Sequence, residues 1–123
     1  MSVLGRATIV PTELKMNGLE RDYAAYLQVA RLAGEIAEYS FEPEGLRLAN
    51  RTVYWPDFRI VHLDGVVEFH EVKGHWREDA RAKIKIAADI HPYVFRAVTR
   101  KSRRDGWKWE TFTPGVLEWL ADE

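Results

Sequence analysis

The chain has no cysteine, no long apolar run and no repetitive or low-complexity stretch. Without cysteine there are no disulfides and no thiolate zinc site, and His62, His70, His75 and His91 lack the close paired spacing of a zinc motif. A structural metal is therefore not expected. No segment approaches the roughly 20 apolar residues that span a bilayer, and Met1 to Val10 has no basic segment followed by a long apolar one. The expectation is a soluble protein of the cytoplasm. No Pro/Gly/Ser linker divides the sequence, and 123 residues with 46% hydrophobic and 30% charged content suit one compact domain over 1–123.

Charge is nearly balanced at -1, but its placement is uneven. Residues 1–76 carry 8 basic and 11 acidic groups, 77–104 carry 9 and 3, and 105–123 carry 1 and 5. The middle block holds Arg77, Arg81, Lys83 and Lys85, then Arg100-Lys101-Ser102-Arg103-Arg104, which reads as a loop. A phosphate backbone could follow such a stripe, and a solvated helix face with a basic loop would look the same.

Helical spacing predicts a helix from about Gly18 to Ala33, with Leu19, Tyr23, Leu27 and Ala30 on one stripe and Gly34 as a stop. Strands follow at Ile36 to Phe41, Tyr54 to Leu63 and, after the Asp64-Gly65 turn, Val66 to Lys73, with Leu46 to Leu48 a candidate short strand outside the main order. Asp79 to Ile90 reads as a second helix stopped by Pro92, and Val94 to Thr99 and Trp107 to Phe112 as strands. Thr113-Pro114 fits the start of a short helix through Leu120. The expected fold class is α/β (α+β), in the order α-β-β-β-α-β with a C-terminal β-α extension.

Pro56-Asp57, followed after a turn by Glu71-Val72-Lys73, is the chemically loaded part of this pattern. Strand alternation puts Val67, Phe69, Glu71 and Lys73 on one face, so an apolar face ends in an acid and a base. Two carboxylates can hold a hard divalent cation such as Mg2+, and a neighbouring ammonium can steer water and steady charge on phosphate. That combination is a metal-dependent nuclease signature, and the competing reading is an exposed Glu-Lys pair on a solvated strand end.

The element order and these motifs resemble the PD-(D/E)xK nuclease superfamily, over about residues 17–100. More closely, Asn17-Gly18-Leu19-Glu20-Arg21-Asp22-Tyr23, Ala33-Gly34-Glu35-Ile36, Tyr54-Trp55-Pro56-Asp57-Phe58 and Glu71-Val72-Lys73-Gly74 resemble small phage-encoded nucleases similar to the endonuclease I type of Holliday junction resolvase. The resemblance implies a restriction-endonuclease-like core, a mixed sheet flanked by helices. It implies Asp57, Glu71 and the Val72 carbonyl as Mg2+ ligands, with Mn2+ able to substitute, Glu20 joining them from the first helix, and Lys73 positioning the attacking water. It further implies products with 5′ phosphate and 3′ hydroxyl ends, branched DNA as substrate, a homodimer and, for a phage-encoded chain, action in the host cytoplasm.

Several readings stay open at this stage. Asn17 and Glu20 also have the spacing of a capping box, which by itself accounts for both residues. Gly74 allows close backbone approach, and His75, Arg77, Arg81, Lys85, Arg100, Lys101, Arg103 and Arg104 are candidate DNA contacts, with Arg77, Arg81 and Lys85 on one helix face. Trp107 and Trp109 could stack on bases, meet a partner subunit or pack in the core. A binding module that holds DNA or a protein without cutting, and a nuclease for RNA or single strands, are the alternative functions.

Overall fold

A computed structural model describes residues 15–114. Helix α1 (Gly18–Leu32) precedes strands β1 (Glu38–Phe41), β2 (Leu46–Ala49), β3 (Thr52–Tyr54), β4 (Phe58–Val61) and β5 (Val67–Val72). Helix α2 (Glu78–Ile90), β6 (Val94–Ser102) and β7 (Gly106–Phe112) follow. Five strands form a mixed sheet in the order β1-β4-β5-β6-β7, while β2 and β3 make a separate two-stranded hairpin. All pairs in the large sheet are antiparallel except β5 with β6. Their parallel pairing needs a crossover, which α2 supplies.

Each helix buries its apolar stripe on one face of the sheet. On one side Tyr23, Leu27 and Ala30 of α1 pack with Phe58, Ile60, Val72 and Val98. Across the sheet, Ile84, Ala87 and Ala88 of α2 pack with Leu46, Tyr54, Phe69 and Phe95. Strand β5 divides its side chains between these cores, as the two-residue period requires. Phe69 and Glu71 face the α2 side, while Val72 joins the α1 core.

The α+β class, the mixed sheet and both long helices agree with the sequence expectations, and α1 ends at the Ala33 cap beside Gly34, whose φ is 76°. Two strand assignments need correction. Tyr54 to Leu63 is not one strand: Pro56 cannot donate to a ladder, and the chain leaves the small hairpin at Tyr54 and enters the large sheet at Phe58. Arg100 and Lys101 are not loop residues, because β6 runs on to Ser102 before the turn into β7. The expected helix through Leu120 lies outside the described residues. Among the described residues no helix is long and apolar enough to cross a membrane.

Candidate active site

Pro56 ends the small hairpin's ladder and delivers Asp57 to the start of β4, where Phe58 pairs with His70 and Asp57 therefore lies beside Glu71. The loop that supports it is tied down from behind. Glu42 takes the left-handed region at φ 45°, uncommon for a residue with a side chain, and its N–H donates to the Asp57 carbonyl at 2.7 Å. The Asp57 Oδ2 accepts the Val72 N–H at 2.8 Å, and the Asp57 N–H donates to Glu71 Oε1 at 3.3 Å. Tyr54 Oη–H donates to the same Glu71 oxygen at 2.9 Å. Lys73 Nζ stands 3.3 Å from the other oxygen, Glu71 Oε2. Asp57, Glu71, Val72 and Lys73 are thus brought together as the sequence predicts.

Burial makes this cluster electrostatically tense. Asp57 is 5% exposed and Glu71 8%. Desolvation first, and then the neighbouring Glu71 charge, push Asp57 from 3.8 up to about 8. Desolvation also raises Glu71, against the opposing pull of Lys73 and Tyr54. Burial alone would lower Lys73, but the Glu71 and Asp57 carboxylates outweigh it and raise its pKa, so the side chain stays an ammonium. Tyr54 is driven upward by burial and by Glu71, so it remains a neutral donor.

Glu20 reaches the site by its field. Its side chain accepts the Asn17 N–H at 2.8 Å, while Asn17 Oδ1 accepts the Glu20 N–H at 2.8 Å, so the reciprocal capping box is formed. From that position its charge still acts on both Asp57 and Lys73. Among the described residues no group of three His, Asp or Glu side chains converges as a ready-made metal cage. The donors do fit a hard divalent cation in kind: two buried carboxyl groups oppose each other's ionisation, and a positive ion would relieve that repulsion.

The candidate DNA contacts divide. His75, Arg81, Arg100 and Lys101 join Lys108 around a pocket of about 480 Å3 that also borders Gly74, directly beyond Lys73. Two of these cations are already engaged. Arg81 pairs with Glu110 at 2.6 Å, and Arg100 pairs with Asp22 at 2.8 Å while lying 4.6 Å over the Trp107 ring. Arg77 is the cap residue before α2, Lys85 is exposed on that helix, and Arg103 and Arg104 sit exposed in the β6–β7 turn. Among the described residues a Cβ on Gly74 would meet only Leu19 Cδ2, at an ordinary 3.9 Å, so nothing among them requires glycine there. Trp107 and Trp109 pack against the α1 core, which favours the packing reading for both.

Two features escaped the sequence. Tyr54, the donor to Glu71, looked like one more strand aromatic. Behind the site a polar chain crosses the α1 core: Trp109 Nε1–H donates to Tyr23 Oη at 2.9 Å, and Tyr23 Oη meets His70 Nδ1 at 2.7 Å. Because the Glu68 carboxylate can only accept, the neutral His70 ring donates its Nε2–H to Glu68 Oε1 at 2.9 Å, which leaves Nδ1 to accept the Tyr23 proton. Burial lowers the His70 pKa and keeps the ring neutral. Burial works the other way on Glu68, but the His70 hydrogen bond and the Arg96 charge outweigh it and hold that carboxylate low. Arg96 stands 3.3 Å and His62 2.9 Å from the Glu68 oxygens. The alternation Glu68–His70 among apolar neighbours was the signal available for this network.

Compared with models of known protein families, with characterised protein sequences and with solved structures, the chain has no significant match.

Proposed function

We propose that the chain is a Mg2+-dependent endodeoxyribonuclease with a restriction-endonuclease-like core, acting on branched or structure-distorted DNA as a homodimer. The observation that carries the reading is the buried Asp57–Glu71 pair, fixed by the Val72 N–H and Tyr54, with Lys73 Nζ 3.3 Å from Glu71. A carboxylate pair whose ionisation is opposed by burial has little value to the fold. It has value as a cation site. The branched substrate and the dimer rest on the sequence resemblance.

In this reading Asp57, Glu71 and the Val72 carbonyl would hold the ion, and Glu20 would add negative potential from its cap position. The ion, when bound, supplies Lewis-acid stabilisation of charge developing on the phosphate and on the departing 3′ oxygen. Lys73, kept charged by its carboxylate neighbours, orients the attacking water by hydrogen bonding and does not serve as the base. Tyr54 holds Glu71 in one orientation, so its free geometry is spent before substrate arrives. The basic pocket beyond Gly74 gives the DNA backbone a sequence-independent hold.

The test pairs a labelled four-way junction with a matched linear duplex and supercoiled plasmid, in Mg2+ or EDTA, for the wild type, Glu71→Ala and Lys73→Ala. Metal-dependent cuts near the branch point, lost in both variants while binding persists, support the reading. A wild type that binds but leaves all three DNAs intact in Mg2+ and Mn2+ overturns it. The binding module then takes its place, a reading favoured by the absence of a three-residue metal cage among the described residues.

A further inference from the structure

Trp55 is not used by the chemistry just described, yet it stands two residues before Asp57. The indole is 55% exposed, while Trp107 and Trp109 pack against the α1 core. Its position is nonetheless fixed. A Cβ on Gly45 would lie 2.8 and 3.0 Å from the Trp55 ring atoms Cε2 and Cζ2, and 2.6 Å from Val53 Cγ1. Left-handed backbone is found at Gly34, Gly65 and Gly106 and not at Gly45, so the close approach of Val53 Cγ1 and of the indole is what excludes a side chain at Gly45.

Trp55 also lines a pocket of about 270 Å3 together with Tyr54, Glu71, Lys73, Asp79 and Lys83. Lys73 thus borders this pocket, and the next residue, Gly74, borders the basic one on the far side. A backbone passing over Lys73 would leave one nucleotide at Trp55. The space suits a single planar base and not a duplex. An aromatic platform meets a base face only when that face is not covered by a neighbouring base pair, and the Lys73 and Lys83 ammonium groups complement the attached phosphates.

We infer that Trp55, seated on Gly45, stacks on an unpaired base next to the scissile phosphate, so that the pocket selects DNA with a disrupted stack. The inference rests on the nuclease reading for the word scissile. The stacking itself is measurable without cleavage.

The experiment uses the full chain with Ca2+ in place of Mg2+, so that the DNA is held and not cut. The probes are a gapped duplex carrying one unpaired 2-aminopurine at the gap and the same duplex fully paired. The wild type is expected to quench the unpaired 2-aminopurine and to bind the gapped DNA more tightly than the paired one. Trp55→Ala should abolish the quenching and weaken binding of the gapped DNA by about 10- to 100-fold, with the preference falling towards parity. Trp55→Phe should recover part of both signals, and Gly45→Ala, which displaces the indole without removing it, should lose quenching. If Trp55→Ala fails to fold by circular dichroism, the last two variants carry the comparison. Quenching and preference unchanged in the folded variants overturn the inference. Cleavage of DNA in Mg2+ alongside such unchanged binding overturns the pocket alone, whereas Trp55-dependent quenching with no cleavage in Mg2+ or Mn2+ keeps the pocket and removes the nuclease reading.

Discussion

Asp57→Asn removes a buried, costly charge while keeping the shape of the side chain, so it should make the fold more stable and the site inert. The amide oxygen of the substituted side chain can still accept the Val72 N–H, the bond that Asp57 Oδ2 makes at 2.8 Å. The gain follows from proton linkage. Asp57 rises from 3.8 to about 8 on folding, so between those values the folded state holds a proton that the unfolded chain releases. The contribution of Asp57 to stability is therefore greatest below pH 4 and falls as pH rises towards 8, opposite to the sign for an acid in a salt bridge such as Glu68. At about 1.36 kcal/mol per pKa unit the penalty at pH 7 comes to about 4 kcal/mol, or about 2 kcal/mol where Glu71 takes up part of the proton. At roughly 3 to 5 °C per kcal/mol for a domain of this size, Asp57→Asn should melt at least about 6 °C above wild type at pH 7.5. The advantage should shrink steadily towards pH 4.5. Adding Mg2+ at about 100 times its Kd should stabilise the wild type by about 2.7 kcal/mol and leave the variant unchanged. Thermal melts across pH, with and without Mg2+, read all of this. A variant that melts below wild type at pH 7.5, with a parallel pH profile, would refute the claim that burial and Glu71 strain this carboxyl.

Glu20→Gln separates the cap from the charge, because glutamine can still accept the Asn17 N–H: Tm should stay within about 2 °C while Mg2+-dependent cleavage falls about tenfold or more. Unchanged cleavage would leave Glu20 as a cap only. Tyr54→Phe removes a donor that lowers the Glu71 pKa, so the acidic limb of the cleavage pH profile should move to higher pH and the rate at neutral pH drop about 10- to 100-fold. Tyr23→Phe strips the shared hydroxyl from both Trp109 and His70, and a melt should show a loss of about 1 to 3 kcal/mol with cleavage retained in the folded fraction.

Periodicity made the helices legible. The stripe Tyr23–Leu27–Ala30 and the trio Ile84–Ala87–Ala88 turn inward as their spacing requires. Alternation likewise predicted that Glu71 and Lys73 share a face. What composition could not show was which sheet a strand joins. Thr52–Tyr54 and Phe58–Val61 are both strand-like, and only their partners, β2 for one and β1 with β5 for the other, put them in different sheets. Pro56 carried that information locally, and the aromatic run around it masked the break. Partners distant in sequence also explain why Tyr54, Tyr23 and His70 went unread, since their hydrogen-bond mates lie 17, 86 and 47 residues away. The basic block was visible as charge, but the ion pairs Arg81–Glu110 and Arg100–Asp22 depend on tertiary contact.

Strand β5 is polar on both faces, with Glu68 and His70 turned to one core and Glu71 to the other. Most half-buried strands tell inside from outside by greasiness alone, and a slip by one residue then costs only apolar contacts. Here a slip one way would set an imidazole where Tyr54 awaits a carboxylate, and a slip the other way would strand Glu71 against Tyr23. The pairing of Phe58 with His70 is accordingly proofread from both sides of the sheet. A chain that closes this hairpin out of step gains neither network, so correct assembly and a competent site are reached in the same event.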